Sequence, residues 1–179
     1  MRACVTILLA ALFLAPAASV TFAIPSQKRV AALNALVVAY SKYRTGHEKE
    51  GREGIEKALA IDRDLAYANV VRGEVAMKEA DWQTAQKFLE RGLVLLRQTD
   101  QPLSPDKNTR VRVSDVEGDT RCFMGYVYVK LAQRANRAGN DSMEQKYLEL
   151  ANRSLRAGLA LTPGKEAREL AEGLLRMFR

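Results

Sequence analysis

Cysteine and histidine are scarce in this chain of 179 residues: two cysteines, Cys4 and Cys122, and one histidine, His47. That scarcity removes whole classes of chemistry. A structural zinc site needs four convergent Cys or His ligands, and a catalytic one about three. No His-Glu-x-x-His pattern, phosphate loop, dinucleotide fingerprint or Gly-x-Ser-x-Gly elbow occurs. Aromatics make up 7% of the chain and there are five prolines. Alternation of β-branched residues is confined to a short stretch near Arg110 to Val116, so a β-sheet has little to build on. No block of five like charges appears, which excludes a nucleic-acid-binding tail and indicates an ordinary solvated surface.

Long apolar runs are also absent after the first two dozen residues. Val5 to Ala15 is apolar but short for a bilayer span, and it follows a weak positive start at Met1-Arg2. This reads as a secretory signal peptide over residues 1–23, with cleavage after Ala23 favoured over Ala17; the alternative is an uncleaved anchor. Export would leave Cys122 as the sole cysteine, so packing and not a disulfide would stabilise residues 24–179. Loss of Arg2 lowers the formal charge from +7 to +6, still a basic excess that favours anionic surfaces or an acidic partner.

What is present is helical periodicity. Apolar residues from Val30 to Tyr40 mark a helix from about Ser26 to Arg44 that stops at Thr45-Gly46, and Ile55, Ala58, Leu59 and Ile61 mark its partner, about His47 to Ile61. Shifted by 34 residues, Ala39, Gly46, Gly51, Ile55 and Ala58 fall on Gly73, Ala80, Ala85, Leu89 and Gly92. Gly73 inside a helix costs about 1 kcal/mol relative to alanine, which implies a neighbouring helix close enough to need the missing side chain. The second hairpin starts near Leu65 and turns at Ala80-Asp81-Trp82.

On these residues the chain resembles the tetratricopeptide repeat family. Gly73, Ala85 and Leu89 match its helix positions, while Asn69, Arg72, Ala76 and Arg97 depart from its tryptophan, leucine, tyrosine and proline slots. A third, stretched unit ends on Leu155, Gly158, Leu159, Leu161 and Pro163; its first helix spans about Asp119 to Ala138, with Gly125 the counterpart of Gly73 and Ser142 the expected N-cap of its second. The resemblance implies an all-α solenoid of about three hairpins (units 32–64, 65–97 and 119–163), an insertion loop over 98–118 with a basic tip at Lys107, Arg110 and Arg112, and a capping helix over 165–178.

It also implies a concave, partner-binding groove at Tyr40, Tyr43, Arg44, Tyr67, Glu74, Lys78, Tyr126 and Lys130, together with Leu36, Val70, Met77, Cys122 and Val129. Lysine and asparagine of the family's carboxylate clamp are replaced at Leu36, Tyr40 and Val70, so a peptide would be held along its length. The expectation is a non-catalytic scaffold with no cofactor and no metal, binding a protein or peptide in the cell envelope, in a bacterial periplasm, and assisting assembly or maintenance of a complex. The rival is a basic binder of anionic polysaccharide or lipid. Neither expectation involves nucleic acid.

Overall fold

Seven α-helices and a terminal 3-10 turn account for the regular structure of the computed structural model, which describes residues 27–98 and 112–178. They are α1 (Gln27–Arg44), α2 (Glu48–Ile61), α3 (Ala66–Lys78), α4 (Trp82–Gln98), α5 (Val113–Arg137), α6 (Asp141–Leu159), α7 (Lys165–Leu175) and the 3-10 turn Arg176–Phe178. No strand occurs among the described residues, and the fold is all-α. The expected leader and its two candidate cleavage sites lie outside the described residues, as do Lys107 and Arg110. No helix of the described residues is long and apolar enough to cross a membrane.

Packing is sequential. α1 lies on α2, α3 on α4 and α5 on α6, while α2–α3 and α4–α5 join one pair to the next and α7 covers α5 and α6. α1 also touches α3, and α3 touches α5, so the first helices of the pairs share one face.

The three pairs turn in the same way. The N–H two residues beyond each first helix's C-cap reaches back five residues, His47 to Lys42, Asp81 to Ala76 and Asn140 to Ala135, each at 3.0 Å. The residue before each donor is left-handed: Gly46 at φ 92°, Ala80 at 57° and Gly139 at 68°. This is the Schellman ending, in which the left-handed residue lets orphan carbonyls find donors. Ala80 adopts the conformation without being glycine, which strains it.

Where the helices of a pair cross, each fills a gap in the other. A Cβ on Gly73 of α3 would fall 2.6 Å from Leu89 Cγ of α4, and one on Gly92 of α4 would fall 2.7 Å from Val70 Cγ2 of α3. The third pair repeats this: Gly125 meets Leu155 Cγ at 2.5 Å and Gly158 meets Cys122 Sγ at 2.6 Å. In the first pair Ala39 and Ala58 stand at the corresponding places, with Leu36 and Ile55 as the large partners, all at most 2% exposed. Gly51, Ala85 and Ala151, each four residues before the large residue of its second helix, are buried as well.

α3 buries eight of its thirteen residues, because Ala68, Val71 and Val75, with Leu65 just before the helix, face the α1–α2 core while Ala66, Val70 and Ala76 face the α4–α5 core. The departures from the repeat pattern acquire structural reasons here. Asn69 is buried and its Nδ2 donates to Leu65 O (2.9 Å) and Arg63 O (3.1 Å), tying down the link between pairs. Arg72 pairs with Glu56 at 2.5 Å and lies over the Phe88 ring. Arg97 reaches Glu117 at 3.1 Å across to α5.

Two boundaries differ from the sequence reading. α5 starts at Val113 and not at Asp119, so Val113 to Val116 is helical, not extended. Val116 turns into the core, Thr120 Oγ1 donates to its carbonyl at 2.6 Å, and Arg112 pairs with Asp115 at 3.1 Å in the first turn. The expected 98–118 insertion therefore gives its last six residues to a helix, and residues 99–111 lie outside the described set. Asn140, not Ser142, caps α6: its Oδ1 accepts the Met143 N–H at 3.0 Å. In α4 the same task falls to Asp81, whose Oδ1 accepts the Thr84 N–H at 3.2 Å.

Candidate functional site

The face shared by α1, α3 and α5 opens into a cleft of about 690 Å³, closed at one end by the start of α7. Six of the eight sequence-derived groove residues line it: Tyr40 and Arg44 from α1, Tyr67, Glu74 and Lys78 from α3, and Tyr126 from α5. Val70 and Met77 contribute apolar floor. The other two stand elsewhere. Tyr43 is only 6% exposed and packs in the α1–α2 core, where Lys78 Nζ lies 5.1 Å from its ring centre. Lys130 lines a separate depression with Trp82, Gln133, Arg134 and Arg137. Leu36, Cys122 and Val129, also read as groove-facing, are core residues at most 5% exposed.

The lining is ordered along the helices. Arg44 and Lys78 stand in the last turns of α1 and α3, where cations complement the helix dipole; Lys130, their match in the repeat register, lies seven residues before the end of α5. One turn earlier stand Tyr40, Glu74 and Tyr126. Tyr40 Oη donates to Glu74 Oε2 at 2.8 Å, a bond across 34 residues that joins matching places on successive pairs. Tyr126 makes an edge-to-face contact with Trp82 of α4, centroids 5.7 Å apart, and carries Lys130 Nζ 5.2 Å above its ring.

Toward the other end the cleft becomes acidic, a feature not anticipated from the sequence. Asp115 and Asp119 of α5 and Glu166 of α7 join Glu74, and Phe123 adds a further aromatic wall. Asp115 is neutralised by Arg112 and also accepts from Thr162 Oγ1. Asp119 Oδ1 accepts the Gly164 N–H at 2.6 Å, which seats the turn into α7. Among the described residues, no lysine or arginine pairs within 4.0 Å with Glu74, Asp119 or Glu166.

Burial dominates the titration of this wall. It pushes the Glu74 carboxyl up to about 7, against the Tyr40 hydrogen bond and with Asp119 adding to the rise; Lys78 and Arg44 pull it weakly down. Burial likewise raises Asp119, where the Gly164 hydrogen bond opposes it and Asp115 and Glu166 add to it. Tyr40 and Tyr67 are raised by burial and then by the Glu74 charge, so both stay protonated as hydroxyl donors.

The residues singled out for chemistry stay apart from this wall. His47 is exposed at the α1–α2 turn, where Nδ1 lies 3.4 Å from Thr45 Oγ1. Cys122 is fully buried and its thiol is pushed up to about 11, mainly by desolvation. Among the described residues no group of three His, Cys, Asp or Glu is placed to hold a metal ion. A second depression of about 730 Å³ between α2 and α4 is lined by Glu56, Arg63, Phe88 and Arg91. Two of its charges are already engaged, Glu56 with Arg72 and Arg91 with Asp64. No protein family, no curated protein and no solved structure matches the chain.

Proposed function

We propose that this chain is a non-catalytic, exported scaffold whose three helix pairs stack as a divergent tetratricopeptide-like solenoid, and that it holds a protein or peptide partner along the α1–α3–α5 cleft. The observation that carries the reading is the Tyr40–Glu74–Tyr126 row. Residues at matching places on three successive pairs converge on one cleft, and two of them are hydrogen-bonded to each other. The identical turns and the shared interlock of large and small residues support the repeat. Tyrosines suit peptide contact, since they join apolar area to a hydroxyl with few rotors to immobilise. The envelope setting rests on the leader-like residues 1–23, and assembly or upkeep of an envelope complex is the task such a scaffold would serve.

A second reading has its own observation. Lys130, Arg134 and Arg137 gather beside Trp82 in a depression of about 430 Å³, a cationic patch suited to an anionic polysaccharide or lipid headgroup. Salt separates the two, because exposed charge is screened within about a Debye length whereas buried aromatic contacts are not. The test is capture from envelope extract with the mature protein and with a folded Tyr40/Tyr67/Tyr126 triple alanine variant. Partners retained at high salt and lost with the triple variant support the cleft. Partner lists that do not differ between the two proteins would refute it, and loss of all binding with rising salt would favour the patch.

A further inference from the structure

The chain carries a net charge of +7, yet the cleft wall formed by α3, α5 and α7 is negative. Its own cations offset this only in part, Lys78 and Arg44 acting weakly on Glu74 without an ion pair. Lys78 rests over the ring of Tyr43, and Arg44 is exposed at the far end of α1. Glu74 and Asp119, on separate helices, each spend one oxygen on a neutral donor, the Tyr40 hydroxyl and the Gly164 amide. Neither is in an ion pair among the described residues, and both face a cleft walled by Tyr67, Phe123 and Tyr126. Half-buried carboxylates beside aromatic rings are the complement of an extended cation, whose alkyl stem lies on the rings and whose head meets the oxygens.

We infer that the cleft receives a lysine or arginine side chain of an extended partner peptide, seated between Glu74 and Asp119 against Tyr67, Phe123 and Tyr126. The inference rests on reading the cleft as a peptide groove and adds the chemistry of its occupant. A basic side chain there satisfies two carboxylates that the protein's own groups leave without an ion pair. An acidic one would meet like charge in a partly desolvated site, a repulsion that rejects wrong partners. Arg44 and Lys78 at the opposite end then fix the peptide's direction, since its cationic residue must sit toward α7.

The test uses fluorescence anisotropy with the mature chain and three labelled peptides: a lysine-leucine-serine repeat, its glutamate-for-lysine version and its serine-for-lysine version. At about pH 8.5 the lysine peptide should bind roughly tenfold more tightly than the serine peptide, and the glutamate peptide more weakly still. The Glu74→Gln/Asp119→Asn variant, which keeps both hydrogen-bond acceptors, should erase that preference. Glu53→Gln, on the exposed face of α2, should leave it intact. Equal binding of all three peptides, lost in Tyr67→Ala/Tyr126→Ala, would overturn the charge assignment and keep the groove. Binding of no peptide, or binding untouched by either double variant, would overturn both. Competition by free spermidine as effective, per charge, as by the lysine peptide would overturn the peptide as occupant in favour of a small amine.

Discussion

Replacing Glu74 by glutamine should stabilise the protein, and only when the pH is high enough to ionise the native residue. The carboxyl is half-buried in the cleft and is lifted from its ordinary 4.5 to about 7, chiefly by desolvation. Below about pH 4.5 both folded and unfolded chains hold the proton, so the residue has no pH-dependent effect. Between about 4.5 and 7 the unfolded chain releases its proton first and gains relative stability. Above about 7 the full cost is present, at most about 3 kcal/mol from the displacement of the titration. Glutamine still accepts from Tyr40 and never ionises.

The groups facing this position are Tyr40 and Arg44 from α1, Tyr67 and Lys78 from α3, Asp119 from α5 and Glu166 from α7. None is a histidine, so Glu74 governs the window near neutrality. Thermal unfolding of wild type and Glu74→Gln should nearly coincide at about pH 4.5. At about pH 8.5 the variant should melt higher by up to about 10 °C, taking a few degrees per kcal/mol for a chain of this size. A gain of the same size at both pH values, or a loss at pH 8.5, would refute the account. Such a charge is a stability cost kept at the proposed binding surface, and binding and stability commonly oppose each other.

Two further outcomes follow from packing. Gly73→Ala should lower stability by about 1–3 kcal/mol, because its Cβ would collide with Leu89, whereas Gly173→Ala in α7, with nothing within 4 Å, should raise it by up to about 1 kcal/mol through helix propensity. Urea unfolding of the two variants reads both signs, and a stabilised Gly73→Ala would contradict the close crossing. Cys122 should resist iodoacetamide in the folded protein at about pH 8 and react on unfolding, since its thiol is buried and raised to about 11. Rapid native labelling would show that α5 opens.

The first two helix pairs were legible because their turns and small residues recur at one offset: Gly46 and Ala80 take the left-handed positions, and Ile55 and Leu89 the large ones. The start of α5 was not. Val111, Arg112 and Val113 alternate as a strand would, and the Arg112 side chain makes no capping bond. At α6, Asn140, Asp141 and Ser142 are all plausible caps by type, and only geometry selects Asn140. The six cleft residues were found through the repeat register, which also drew in Tyr43 although its ring turns inward. The acidic wall is not directly legible in the sequence, where Asp119 reads as the opening of a helix and Glu166 as part of a cap. Their approach depends on contacts such as Asp119 to Gly164, 45 residues apart. A signal existed in the sequence: carrying the Gly73–Gly125 match back six residues sets Asp119 against Tyr67, a groove position.

The interlock of Gly73 with Leu89 and Gly92 with Val70, repeated by Gly125 with Leu155 and Gly158 with Cys122, bears on how such a chain can change over generations. A larger residue on one helix is admissible only if the facing residue on its mate shrinks, so these positions must drift in twos while the surfaces around them drift singly. A helix pair is then the smallest stretch that can be duplicated, lost or exchanged with both halves of its own fit still on board.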